Sequence, residues 1–174
     1  MNVIILIIFL VGVYLRLVIF PRISLKNEFK LKSNHAKEYG SKNSFILGAL
    51  HVLFYYGSII EACLKKAQPD YITLIGTIIY FLSFIVLFYV IKQLKTFWTT
   101  KIIIAEDHPL NTSFLFKYIK HPNYFFNLIP ELIGLALICK SFYVSIVILP
   151  LYCITLIIRI RIEEKAMKTR FINY

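Results

Sequence analysis

The chain has 174 residues, 59% of them hydrophobic and 16% aromatic, and carries a formal net charge of +11. Water-soluble domains are about 45–50% apolar, so this composition excludes an ordinary soluble fold and predicts an integral membrane protein. The lysines and arginines cluster between apolar blocks, which reads as membrane topology and not as a nucleic-acid surface.

Five blocks approach the ~20 apolar residues that a helix needs to cross the hydrocarbon core. They predict spans at about 3–20, 44–63, 71–91, 123–139 and 142–158, within a single membrane domain covering 1–174. The fold class expected is therefore an all-α integral membrane protein of about five transmembrane helices. Runs such as "IILIIFLVGVYL" lack the alternation of a barrel strand, and backbone groups in lipid must be satisfied within the segment. The first block has neither a basic n-region nor a small-residue cleavage site before Pro21, so it reads as a retained helix. Arg16, near its end, is expected to snorkel to the head groups. The last two spans, joined at Lys140 and Ser141, are expected to form an antiparallel helical hairpin near the C-terminus.

Loops 21–43 and 92–122 and the tail 159–174 hold six, five and five Lys/Arg, whereas the opposite side holds only Lys65, Lys66 and Lys140. The positive-inside rule then places the N-terminus outside and the C-terminus in the cytoplasm, in the cell membrane. Cys63, Cys139 and Cys153 are odd in number and form no CxxC, so buried thiols are expected and neither a disulfide framework nor a metal site. Tyr55, Tyr56, Phe81 and Phe84 are candidates to line a lipid-chain cavity, though packing alone accounts for them.

The polar residues of the C-terminal half gather on one side. His108, His121 and Tyr124 precede or begin span four, and Arg159, Glu163 and Glu164 follow span five. The residue before a proline is pushed out of the α region and proline suits the first helical position, so a helix should start at Pro122 with His121 just outside it. Such a start favours an anion. A capped interfacial helix with a hydrated histidine is the plain alternative. Asn123, Asn127 and Glu131 are four apart and should share one helix face, with Pro130 freeing a carbonyl one turn earlier. Asn127 reads as an interhelical hydrogen bonder and Glu131 as a possible polar site. In "RIRIEEKAMK" the spacings Arg159–Glu163 and Glu164–Lys168 also fit a solvated helix face.

Taken in order, "DHPLNTS", "KHPNY", an apolar hairpin and "RIRIEE" with Phe171 seven residues past Glu164 resemble the isoprenylcysteine carboxyl methyltransferase family, over about residues 95–171. The resemblance implies a small membrane enzyme using S-adenosyl-L-methionine. It implies cofactor contacts at His108, Pro109, Leu110, Asn111 and Phe116, at His121, Pro122, Asn123 and Tyr124, and at Glu163. Lys101 falls roughly where the family often has a cofactor-contacting glutamine, and Arg159 matches an arginine on the substrate side. Lys120 replaces the family's usual arginine, Phe126 a common glycine, and Phe114 the last residue of a "TSG" turn, which implies a reshaped pocket. The implied reaction is methyl transfer to a carboxylate or acidic hydroxyl of a lipophilic small-molecule or lipid-modified acceptor, such as the alkylpyrone lipids methylated by small bacterial relatives. The partners are then that acceptor and the lipid bilayer, with no nucleic acid and no metal. A soluble-type cofactor fold is not indicated, because the chain has six glycines and no GxGxxG. Two other readings stay open: an NADPH-dependent membrane reductase with a related site, and a non-catalytic transporter or assembly protein, whose polar residues would lie at mid-membrane.

Overall fold

The computed structural model describes residues 2–105 and 118–169. Among these residues, four helices are long and apolar enough to cross a membrane: Val3–Ser33, Ser41–Leu64, Tyr71–Phe97 and Phe142–Lys168, with a shorter apolar helix at Tyr124–Cys139. Ile7, Leu10, Leu53, Ile78, Ile85, Ile146 and Ile154 point outward and are exposed. Such an apolar exterior is stable against lipid tails, and the protein is a multi-pass integral membrane protein.

The first helix runs farther than expected. α1 (Val3–Tyr14) passes through a π-turn, Leu15–Ile19, into α2 (Phe20–Ser33), where Pro21 sits in the first turn. The Phe20 N–H bonds to Leu15 O across the π-turn. The widened ladder accommodates a ring that would otherwise clash with the carbonyl four residues back. The predicted loop from residue 21 is thus largely helix, and α2 buries Phe20, Ser24, Asn27, Glu28 and Leu31 on one face. Strand β1 (Lys37–Tyr39) pairs antiparallel with β2 (Ile102–Ile104), in the register Lys37 with Ile104 and Tyr39 with Ile102. The described residues are therefore almost wholly helical, with one short ribbon in segments expected to be loops.

Gly40, at φ 59°, turns the chain from β1 into α3 (Ser41–Leu64), and a side chain there would press on Ile162. α4 (Tyr71–Leu94) starts with an Asp70–Thr73 capping box. A second π-turn, Tyr124–Leu128, leads into α5 (Ile129–Cys139), and α6 (Phe142–Lys168) follows. Lys140, at φ 52°, reverses the chain between α5 and α6. The expected hairpin is a connection more than a packing unit. α5 lies along α4 and α6 along α3. Glycines explain the first pairing: a Cβ on Gly134 would come within 2.7 Å of the Tyr80 N, and one on Gly76 within 2.8 Å of Gly134 O. Backbones approach that closely only where side chains are absent. At the far end, Glu61 of α3 accepts from the Tyr143 N–H (3.2 Å) and the Val144 N–H (2.9 Å), capping α6. Cys139 is buried, but Cys63 is exposed near the end of α3, contrary to the expectation of three buried thiols.

Candidate functional site

A cavity of about 670 Å³ opens at the end of the bundle that carries the basic segments. Its walls come from the first π-turn, α3, the chain from Phe97 to Ile104, the helix start at His121 and α6. The 97–104 stretch is held by α2. Asn27 Nδ2 donates to the Lys95 and Trp98 carbonyls (3.0 and 2.8 Å), and the Thr100 N–H donates to Ser24 Oγ (2.9 Å). Lys101 Nζ donates to Glu28 Oε2 at 2.8 Å, a hydrogen bond that raises the lysine's pKa above its ordinary value.

The outer part of the cavity is organised around Tyr124. Pro122 is the first helical residue, and His121, just outside, accepts the Tyr124 N–H through its carbonyl at 3.1 Å. The His121 ring stacks on that of Tyr124 at 5.4 Å and is 6% exposed. The Tyr124 hydroxyl donates to Glu163 Oε2 (2.5 Å) and accepts from Arg159 Nε (3.0 Å). Arg159 also donates to Ser44 Oγ and to the Thr100 carbonyl, each at 2.8 Å. It is 4% exposed, so it belongs to no solvated face. Arg159 and Glu163 meet through Tyr124. His121 Nδ1 lies 3.6 Å from Glu163 Oε2, and its Nε2 lies 3.5 Å from Glu164 Oε1.

Three buried polar atoms on the cavity-lining residues make no hydrogen bond among the described residues: Asn123 Oδ1, His121 Nε2 and Trp98 Nε1. An unmade bond on a buried group costs about 1–3 kcal/mol, so such atoms mark places where a ligand is favoured.

A second polar group lies deeper. Arg16 donates from Nε to Glu131 Oε1 (2.7 Å), forms an ion pair with Oε2 and reaches Asn127 Oδ1 at 3.2 Å. The Tyr55 hydroxyl donates to Glu131 Oε1 at 2.5 Å. His51 Nε2 lies 3.3 Å from the same oxygen, and His51 Nδ1 lies 3.2 Å from the Tyr152 hydroxyl. Arg16 therefore faces inward and does not snorkel, because Glu131, wholly buried, draws it in. Asn127 Nδ2 donates to the Ser83 carbonyl at 3.0 Å, tying the second π-turn to α4. Arg16, His51 and Tyr152 all line the cavity.

The two groups form tiers. Ser44 and His51 are seven residues apart on α3, Tyr124 and Glu131 seven apart on the helix Tyr124–Cys139, and Tyr152 and Arg159 seven apart on α6. Seven residues make two turns, about 10 Å. Both π-turns end two residues before a proline, Pro21 and Pro130, and they touch through Arg16 and Asn127.

The structure brings together Lys101, His121, Pro122, Asn123, Tyr124, Arg159 and Glu163, all lining one cavity, while Glu164 borders it through His121. Glu131 sits in the deeper tier beside Asn127 (3.3 Å), but Asn123 faces the outer cavity, because the π-turn shifts the helical phase between them. His108, Pro109, Leu110, Asn111 and Phe116 lie outside the described residues. Tyr55, Tyr56, Phe81 and Phe84 do not line the cavity. Tyr56 and Phe81 are exposed, and Tyr55 is tied up with Glu131 and with Tyr80 (2.8 Å). Sequence reasoning passed over Ser44, His51, Trp98, Thr100 and Tyr152. The seven-residue polar spacing on separate helices was the available signal.

A family model described as the isoprenylcysteine carboxyl methyltransferase (ICMT) family matches residues 74–169, more than half the chain. An uncharacterized protein of Haemophilus influenzae is 46% identical over 149 residues, 86% of this chain and 87% of that protein. An uncharacterized protein of Bacillus subtilis, YpbQ, is 30% identical over 148 residues, 84% of this chain and 86% of that protein. No solved structure matches the chain significantly. The family range takes in Trp98–Lys101, His121–Tyr124 and Arg159–Glu164, whereas Arg16, Ser44 and His51 precede it.

Proposed function

Since the chain belongs to the isoprenylcysteine carboxyl methyltransferase family, which is one of membrane methyltransferases, we propose that it is an S-adenosylmethionine-dependent O-methyltransferase. Its acceptor is a carboxylate or acidic hydroxyl on a lipophilic molecule, reached where the bilayer meets the cytoplasm. The whole chain acts as one membrane domain, with the basic end on the cytoplasmic side. One observation carries the reading: Asn123 Oδ1, His121 Nε2 and Trp98 Nε1, none hydrogen-bonded among the described residues, belong to residues that line the cavity together with Glu163.

These residues suit the cofactor, which presents an ammonium, hydroxyls and an amine as donors and a carboxylate as acceptor. Glu163 would take the ammonium, and Asn123 Oδ1 would accept from a hydroxyl or amine group. The free N–H groups after Pro122 favour the carboxylate. Bound there, S-adenosylmethionine supplies a methyl group activated by a sulfonium. Tyr124 holds the Glu163 carboxylate against the Arg159 guanidinium, fixing both. Arg159 spends three N–H groups on Tyr124, Ser44 and Thr100 and keeps two for an anionic acceptor oxygen. The chain's contribution is position and dryness, which suit an in-line displacement.

Calorimetry of S-adenosylmethionine on the detergent-purified protein tests this, with Glu163→Gln beside it. Micromolar binding that weakens about tenfold or more in the variant is expected, since each 1.4 kcal/mol is tenfold and a bond to a charged group is worth about 1.5–3 kcal/mol. A folded sample that ignores S-adenosylmethionine and binds NADPH would overturn the reading.

A further inference from the structure

We propose that Tyr152, His51 and Glu131 form a proton relay, opening on the deep part of the cavity, that takes the proton from a hydroxyl acceptor. The inference rests on the methyltransferase reading and adds catalytic residues that the outer site does not contain.

The hydrogen bonds have one consistent direction. Glu131 is ionised by its pairing with Arg16, so both of its oxygens only accept. His51 Nε2 must then carry the proton and donate to Oε1 (3.3 Å). Neutral imidazole leaves Nδ1 as an acceptor, filled by the Tyr152 O–H at 3.2 Å. The order is hydroxyl, imidazole, carboxylate, in which the carboxylate sets the tautomer and would stabilise an imidazolium.

A purely structural role does not require this arrangement. Arg16 already neutralises Glu131, and Tyr55 and Asn127 supply further donors. His51 adds nothing to that balance. It stands instead between the carboxylate and Tyr152, and both His51 and Tyr152 line the cavity. Tyr152 precedes Arg159 by two turns on α6, so its hydroxyl lies on the path from the outer tier inward.

In the step proposed, the acceptor O–H gives its proton to the Tyr152 oxygen as the Tyr152 proton passes to His51 Nδ1. The new oxygen–carbon bond forms as the methyl–sulfur bond breaks, and the sulfur keeps that electron pair. The positive charge that entered with the sulfonium ends on the imidazolium beside Glu131. Net charge in the dry cavity is unchanged, which avoids a large desolvation cost. A carboxylate acceptor would need no such relay.

The test uses a 4-nitrophenol bearing a dodecyl chain, with the protein in lipid nanodiscs and no methyl donor present. The pH is set where the probe is neutral in empty nanodiscs. His51 is faced by Tyr152 from α6, Glu131 from α5, Arg16 from the first π-turn and Tyr55 stacked at 5.2 Å on its own helix. The expected result is the ionised-phenol absorption on binding to the wild type, with ionisation favoured about tenfold or more, one pKa unit. It should be lost in His51→Gln and Tyr152→Phe while both still bind the probe. Tyr152→Phe removes a single oxygen and keeps the test decisive should His51→Gln fail to fold. A bound probe that stays neutral, one that ionises equally in Tyr152→Phe, or no binding to the wild type overturns the relay. Any of these alongside intact S-adenosylmethionine binding removes the relay alone and leaves the methyltransferase reading standing.

Discussion

Two helical turns separate Tyr124 from Glu131, and across that interval the polar side chains change character. Around Tyr124 the cavity-lining residues carry buried atoms with no hydrogen bond among the described residues: Asn123 Oδ1, His121 Nε2 and Trp98 Nε1. Around Glu131, none of Arg16, Tyr55, His51, Asn127 and Tyr152 lacks a hydrogen-bond partner. An unmet buried group near the surface can wait for a ligand. Deeper in the bundle, the groups around Glu131 bond one another, and Arg16, His51 and Tyr152 of that tier still face the cavity. The same helices thus build a set of unmade bonds at one depth and an internally bonded network at another.

Removing one partner of the deep ion pair should hurt most. Glu131→Ala leaves Arg16 buried and unpaired, and a loss of about 3–5 kcal/mol is expected, read as a large fall in melting temperature in detergent. Arg16→Met combined with Glu131→Leu should recover much of that loss; if it does not, the tier is held by something other than charge pairing.

Arg159→Lys tests the outer tier at a smaller scale. Lysine cannot reach Tyr124, Ser44 and Thr100 together in one planar fork. About 1.5–3 kcal/mol of S-adenosylmethionine or acceptor binding should be lost, with a melting shift well below that of Glu131→Ala. A melting loss as large as that of Glu131→Ala would erase the distinction between the tiers.

Tyr124→Phe removes the hydroxyl that joins Arg159 to Glu163, and about 1 kcal/mol of stability is expected to go with it. Cofactor affinity should fall more than stability does, because Glu163 loses its orientation. Equal falls would make Tyr124 a packing residue.

The smallest effect belongs to the pair outside both tiers. Asp70 accepts from Lys140 Nζ at 2.6 Å, and that hydrogen bond lowers its pKa below the ordinary carboxylate value. The contribution is therefore present above the unfolded aspartate pKa and lost as pH falls through the lower folded one. Asp70→Asn should remove this acid sensitivity with little change at neutral pH, and added salt should weaken the wild-type contribution.

The membrane class, the number of apolar blocks, the His121–Pro122 helix start and the family were determined by the sequence alone. Each rests on local composition, on proline sterics or on ordered motifs, which need no knowledge of neighbours. What the tertiary structure decided is different in kind. It carried the first helix through Pro21 to Ser33, turned Arg16 inward onto Glu131, laid α5 on α4 through Gly76 and Gly134, and buried Arg159, whose spacing to Glu163 also fits a solvated helix face. Ser44, Thr100 and Tyr152 gain meaning only when two helices and the chain from Phe97 to Ile104 present them to one cavity. The physical reason is that hydropathy records whether a residue suits lipid, while the partner that makes a buried charge tolerable can lie more than a hundred residues away, as Glu131 does from Arg16.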